Sequence, residues 1–170
     1  GLVVDADLRW HFLCNLVEKG NATAAEIDAE AKSDNTANGK KSEAFARAAF
    51  ADKSIKSETF NSIMNHDLSN HILLSKIRGL MRPTQRELYE PFVDQYFANV
   101  LNIWETKSYE TGRTIGQLLF PTYLVNETTL SKTNNWLNGI GKDAPGGLKR
   151  IMNENRDSLL RALNAQRSDS

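Results

Sequence analysis

Helix start and stop signals run through this chain from end to end, and no segment of convincing strand alternation competes with them. Asp5 or Asp7 can cap a first helix that reaches about Lys19, with Gly20 as its stop. Thr23-Ala24-Ala25-Glu26 has the capping-box pattern and opens a second helix that ends near Asp34. A third runs from about Thr36 to Phe50, with Ala44, Phe45, Ala48 and Ala49 on one side. A fourth covers about Ile55 to Asn65 on a stripe of Phe60, Ile63 and Met64, and Ser69 can cap a fifth.

The second half continues in the same way. Pro83 breaks the chain, and Thr84 to Glu87 form another capping box, opening a helix toward Val100 or Trp104. Pro91 lies inside that run and should shift or kink it. Further helices cover Tyr109 to Phe120 and, from a cap at Asn126 or Thr128, the stretch to Leu137. The best strand candidate, Leu119 to Val125, is interrupted by Pro121. Asp143-Ala144-Pro145 reads as a cap followed by an early-helix proline. The last helix carries Leu148, Ile151, Met152, Leu159, Leu160 and Leu163, and residues 165–170 form a polar tail that is expected to be disordered.

The pattern gives about nine helices with short connections, which make neighbouring helices antiparallel. Hairpins of roughly 30–40 residues in series outline an all-α, HEAT-like α-solenoid, although no motif repeats between successive pairs. A single irregular helical bundle would read much the same. The expected organisation is one helical domain over residues 1–164.

Composition narrows the function classes. Lys+Arg and Asp+Glu both number 21, so there is no cationic excess for nucleic acid or for an anionic membrane surface. No apolar run approaches the ~20 residues that cross a bilayer, and no leader sequence is visible. Cys14 is alone, and a lone thiol suits a reducing, cytoplasmic setting. Asn21-Ala22-Thr23 and Asn126-Glu127-Thr128 match the glycosylation pattern, but each is an ordinary polar helix start. The chain opens on Gly1 rather than methionine, as a piece of a longer protein would; a residual cloning glycine would look the same.

The first helix is unusually apolar. In Leu8 to Val17, "LRWHFLCNLV", seven of ten residues are apolar. At about 100° per residue they spread over an arc of about 240°. So wide an arc needs neighbours on at least two sides. Arg9 falls inside it, between Leu16 and Leu13. A guanidinium there must be paired or reach water. Asp5, one turn earlier, and Asp34, at the end of the second helix, are the candidate partners, and such a link would fix the register of adjacent helices. Alternatively, the stem lies along apolar surface and the head escapes to solvent.

Catalytic machinery is hard to find. His66 and His71 are five apart and do not share a helix face, and the H-E-x-x-H zinc motif is absent. His11 and Cys14 could make half a metal site, with no second half in view. Gly139-x-Gly141 and Gly146-Gly147 do not follow a strand, so neither is a phosphate loop. There is no nucleophile elbow. Trp10, Trp104 and Trp136 sit within helical patterns and are expected to pack in the core. No catalytic, cofactor-binding or metal-binding residue is assigned.

Several stretches nevertheless resemble one family. "VDADLRWHFLCNLVEKG" (Val4 to Gly20) and "AEIDAEAKSDNTANGKKSEAFARAA" (Ala25 to Ala49) are similar to the end of the actinobacterial aminopeptidase N family of zinc metallopeptidases. The D-x-D-L-R-W pattern is matched by Asp5, Asp7, Leu8, Arg9 and Trp10. The acidic helix end before a Thr-Ala-x-Gly turn is matched by Asp34, Thr36, Ala37 and Gly39. "YEPFVDQYFANVLNIWE", "LFPTYLV" and "LKRIMNENRDSLLRALNAQ" also resemble that family, so the resemblance covers essentially the whole chain.

The resemblance implies the final part of a helical C-terminal domain, built as a superhelix of helix pairs. It implies a partner in the catalytic domain of the same polypeptide, which would hold the zinc ligands, the catalytic glutamate and the G-A-M-E-N motif. The parent would remove N-terminal residues from peptides through a zinc-activated water, and this domain would wall the substrate cavity. None of that chemistry falls on residues of this chain, which should be inactive alone. A free-standing α-solenoid that binds protein partners is the rival reading. If neighbours are missing, an apolar patch should be bare, and the first helix is where it is expected.

Overall fold

The computed structural model describes residues 5–169; Gly1, Val4 and Ser170, which entered the sequence reading, lie outside them. Every regular element among the described residues is helical, and nine helices have ten residues or more. Among the described residues no helix is long and apolar enough to cross a membrane. The chain divides into two compact units, Gly1–Tyr89 and Glu90–Ser170.

The first unit contains α1 (Ala6–Glu18), α2 (Ala24–Ser33), α3 (Ala37–Ala48), α4 (Lys53–Asn65), α5 (Asn70–Leu80) and the single turn α6 (Arg86–Tyr89). Local chemistry sets the ends. Asp5 accepts the Leu8 N–H at 2.8 Å, and Gly20 takes φ +76° just beyond α1. The Thr23 N–H donates to the Glu26 carboxylate at 2.7 Å, closing the capping box of α2. Thr36 and Asp52 cap α3 and α4.

α3 is the centre of this unit and packs on α1, α2, α4 and α5. Its small residues explain why: Ala46, Ala48 and Ala49 are buried and let neighbouring backbones come close. At Gly79 of α5 a Cβ would sit 2.4 Å from the Phe45 carbonyl oxygen, so α5 lies almost directly on the α3 backbone. Trp10, Val17, Ile27, Ala46 and Ala49 form one core cluster, with Leu13, Cys14 and Phe45 packed against it. Burying side chains the size of Val17 and Ile27 contributes about 1.5–3 kcal/mol each.

The second unit contains α7 (Val93–Thr106), α8 (Tyr109–Leu118), α9 (Glu127–Asn138) and α10 (Gly146–Ser168). α7 packs on α8 and α9, and α10 packs on the same two helices. The Tyr96, Phe97 and Phe120 rings meet edge to face, with centroids 5.1, 6.0 and 6.1 Å apart. The Tyr96 hydroxyl donates to the Gly116 carbonyl at 2.6 Å, and burial pushes its ionisation above the ordinary tyrosine range.

Three details differ from the sequence expectation. The helix expected from Thr84 to Val100 or Trp104 is divided: a 3₁₀ turn at Pro83–Gln85, α6, a second 3₁₀ turn at Glu90–Phe92, and only then α7. Pro91 is responsible, because it has no N–H and its ring opposes the carbonyl of the preceding turn. α10 continues through Ser168 instead of fraying at 165, and Arg167 pairs with Glu127 of α9 near its end. Pro145 is the N-cap of α10 rather than its first residue.

Leu119 to Val125 is a turn and not a strand. The Leu124 N–H donates to the Pro121 carbonyl at 3.1 Å, while Leu119, Phe120 and Leu124 are buried. Of the tryptophans, Trp10 and Trp136 are buried and Trp104 is partly exposed.

Candidate functional site

Three places in the first unit bring polar or reactive side chains together. The first joins α1, α2 and the start of α3. The Arg9 Nε–H donates to Glu30 Oε1 at 2.9 Å, with Arg9 partly exposed and Glu30 mostly covered. The Trp10 indole N–H donates to Asp34 Oδ2 at 2.9 Å. The other oxygen of Asp34 accepts from the Thr36 hydroxyl at 2.6 Å and from the Thr36 N–H at 3.2 Å. The Thr36 hydroxyl in turn accepts the Gly39 N–H at 3.0 Å, capping α3. The Thr36 hydroxyl, followed by the Trp10 indole and the charge of Arg9, holds the Asp34 carboxyl below its ordinary range against the cost of burial.

Arg9 and Asp34, named from the sequence, both lie at this junction. Arg9 forms an ion pair with Glu30, one helical turn before Asp34. Asp34 accepts from the neighbouring Trp10 and feels the Arg9 charge, and Asp5 serves as the N-cap of α1. Helix periodicity puts Glu30 and Asp34 on one face of α2 and its C-cap; which of them meets which side chain of α1 depends on the crossing.

The second place is an open cleft of about 430 Å³ between α1, α3 and α5. His11, Cys14, Lys41, Phe45, Ser75 and Arg78 are among its lining residues. Burial pushes the Cys14 thiol up to about 11, and its Sγ lies 3.9 Å from the Ser42 carbonyl. A thiol in that state is a poor nucleophile and a poor metal ligand. His66 ends α4 and His71 opens α5, both exposed. Among the described residues no group of three or more His, Cys, Asp and Glu side chains could hold a metal ion.

The third place is a buried lysine that sequence reasoning missed. Lys56 of α4 is fully buried, and its Nζ donates to the Ala48 carbonyl at 2.7 Å and the Gly79 carbonyl at 3.1 Å. Those carbonyls lie in the last turns of α3 and α5, where helix dipoles favour a cation. Burial lowers Lys56 to about 8, while Glu18 pulls it up and Arg82 pushes it down. Glu18 accepts from the Thr84 hydroxyl at 2.6 Å, and Arg82 Nε stands 3.1 Å from its other oxygen. Burial raises the Glu18 carboxyl, but the Thr84 and Arg82 contacts outweigh it and leave it low. The Gln85 amide bridges the Glu18 and Ala49 carbonyls at 3.1 and 2.8 Å. The signal was present: Lys56 lies on the apolar stripe of α4, at i−4 to Phe60 and i−7 to Ile63.

The first and third places tie helices together, through the Trp10–Asp34 bond and the bonds of Lys56 to the Ala48 and Gly79 carbonyls.

The comparisons with known proteins decide the family. The ERAP1-like C-terminal domain family matches residues 1–161. The chain belongs to this family. Aminopeptidase N of Streptomyces lividans is 35% identical over 171 residues, which cover 100% of this chain and 20% of that relative. The chain thus spans about one-fifth of the length of the relative it matches.

In this ERAP1-like C-terminal domain the two stretches that carried the resemblance form one physical unit. The D-x-D-L-R-W stretch and the Thr-Ala-x-Gly turn are joined by the Trp10–Asp34 bond. A Cβ at Gly39 would lie 2.3 Å from the Asp34 carbonyl oxygen. Both segments thus serve helix packing in this ERAP1-like domain.

Proposed function

We propose that the chain is the final part of the helical C-terminal domain of a zinc aminopeptidase, without catalytic residues of its own, and that it helps to wall the cavity in which peptides are held. The observation that carries this reading is the relative: all of this chain aligns with an aminopeptidase N, yet it accounts for only a fifth of that protein. The family match over residues 1–161 supports a C-terminal position. The parent would remove N-terminal residues from peptides in the cytoplasm.

The described residues do not fit a zinc site: His66 and His71 are exposed at the ends of two helices and no third ligand joins them. The zinc belongs, on this reading, to the catalytic part of the parent polypeptide. This chain would contribute shape. Helix pairs stacked as HEAT-like repeats give a wall whose stiffness comes from locks such as Trp10–Asp34 and Lys56–Ala48. The two compact units would be successive portions of a single domain.

The test is to read the open frame upstream of Gly1 and to assay its product. An H-E-x-x-H motif in the same frame, and zinc-dependent release of N-terminal residues from peptides, are expected. A start codon immediately before Gly1 would instead favour the free-standing α-solenoid and remove the enzymatic parent.

A further inference from the structure

Three large apolar side chains of α1 face solvent: Leu8 is 42% exposed, Phe12 57% and Leu16 42%. Their i, i+4, i+8 spacing places them in one stripe along the helix. The other side of α1 is already occupied, with Trp10 and Val17 buried and Leu13 and Cys14 packed on the same core. Isolated exposed leucines need no explanation, whereas an aligned stripe opposite a packed face marks a helix with a second neighbour.

The length of the relative indicates where that neighbour comes from. Four-fifths of it lies outside the matched segment, and in a C-terminal domain the remaining polypeptide leads in from the N-terminal side. α1 is the first helix that such a polypeptide would reach. A second copy of the chain is the weaker occupant. Three half-exposed side chains fall far short of the about 800 Å² per partner that stable interfaces use. A helix tethered in the same polypeptide needs less area, because docking it carries no loss of free translation.

We infer that the Leu8–Phe12–Leu16 face of α1 is the seat of an amphipathic helix from the preceding part of the same parent polypeptide, and that the stripe is buried in the full-length protein. This rests on the reading that the chain is the end of a longer enzyme.

The experiment compares Phe12→Cys, in a Cys14→Ser background, in the 170-residue chain and in the full-length parent, each checked for helical content. Maleimide labelling at position 12 is expected to be at least tenfold slower in the parent. Equal rates overturn the inference. Slow, concentration-dependent labelling of the 170-residue chain assigns the stripe to a second copy and also overturns it. Hydroxyl-radical footprinting of Phe12 in the unsubstituted proteins supplies the same comparison if the variant fails to fold. Peptidase activity of the parent is assayed separately. Turnover without protection of Phe12 sinks only this inference, and protection without turnover sinks only the enzymatic reading.

Discussion

The indole of Trp10 reaches across from α1 to the carboxylate of Asp34, 2.9 Å away, at the point where α2 gives way to α3. One side chain thus contributes both apolar burial and a hydrogen bond to an ionised acceptor. Trp10→Ala should cost about 3–5 kcal/mol by loss of packing alone. Trp10→Phe should fall between that variant and wild type, because the ring remains while the donor is lost. Urea midpoints of the three proteins check the order.

Acid should weaken this junction and the contacts of Glu18 with Thr84 and Arg82. The Asp34 and Glu18 carboxyls are both held below their ordinary range in the folded chain. A depressed carboxyl stabilises fully above its unfolded value, and that stability is lost as pH falls through the folded value. Stability is therefore expected to decline below the usual carboxylate range. Asp34→Asn should be less stable than wild type near neutrality and should show a shallower acid slope in a pH series of unfolding curves.

Lys56 should give the opposite slope at alkaline pH. Its folded value of about 8 lies below that of an unfolded lysine. Between the two the unfolded chain binds more protons, so this group makes stability rise with pH from about 8 upward, by up to about 3 kcal/mol. The difference between wild type and Lys56→Met isolates the effect, since the other titrating groups cancel. At pH 7 Lys56→Met should be near neutral or modestly stabilising, as the methionine fills the site without a buried charge. Lys56→Ala should lose stability through the cavity it leaves.

Gly39 and Gly146 should respond in opposite ways to alanine. At Gly39 the added methyl would meet the Asp34 backbone at 2.3 Å, and at Gly146 it would meet nothing within 4 Å. Gly39→Ala is expected to destabilise by about 1–3 kcal/mol through forced backbone shifts. Gly146→Ala opens α10 with a better helix former and should be neutral or gain up to about 1 kcal/mol. Thermal unfolding of both variants decides it.

Local signals were legible where a short stretch contains its own physics. Asp5, the Thr23–Glu26 box, Thr36 and Asn126 began helices as their side chains dictate, and Gly20 followed α1 with the positive φ that glycine allows. The wide apolar arc of α1 was legible too: one part of it is packed in the core, and Leu8, Phe12 and Leu16 on another part are exposed. What was not legible depends on how helices cross. The ion pair of Arg9 with Glu30, one turn before Asp34, was not read from the sequence, because a one-turn difference in register has no local signature. Lys56 is held by the ends of both α3 and α5, which meet closely at Gly79, a contact between residues far apart in the chain. The tail of α10 read as too polar to stay folded, yet the helix runs through Ser168.

The most direct measurement is turnover of an aminoacyl reporter by the purified 170-residue chain with zinc added. No release above buffer is expected, since on the proposed reading the zinc and the catalytic residues belong to another part of the parent polypeptide. Release that a chelator abolishes and zinc restores would contradict that claim.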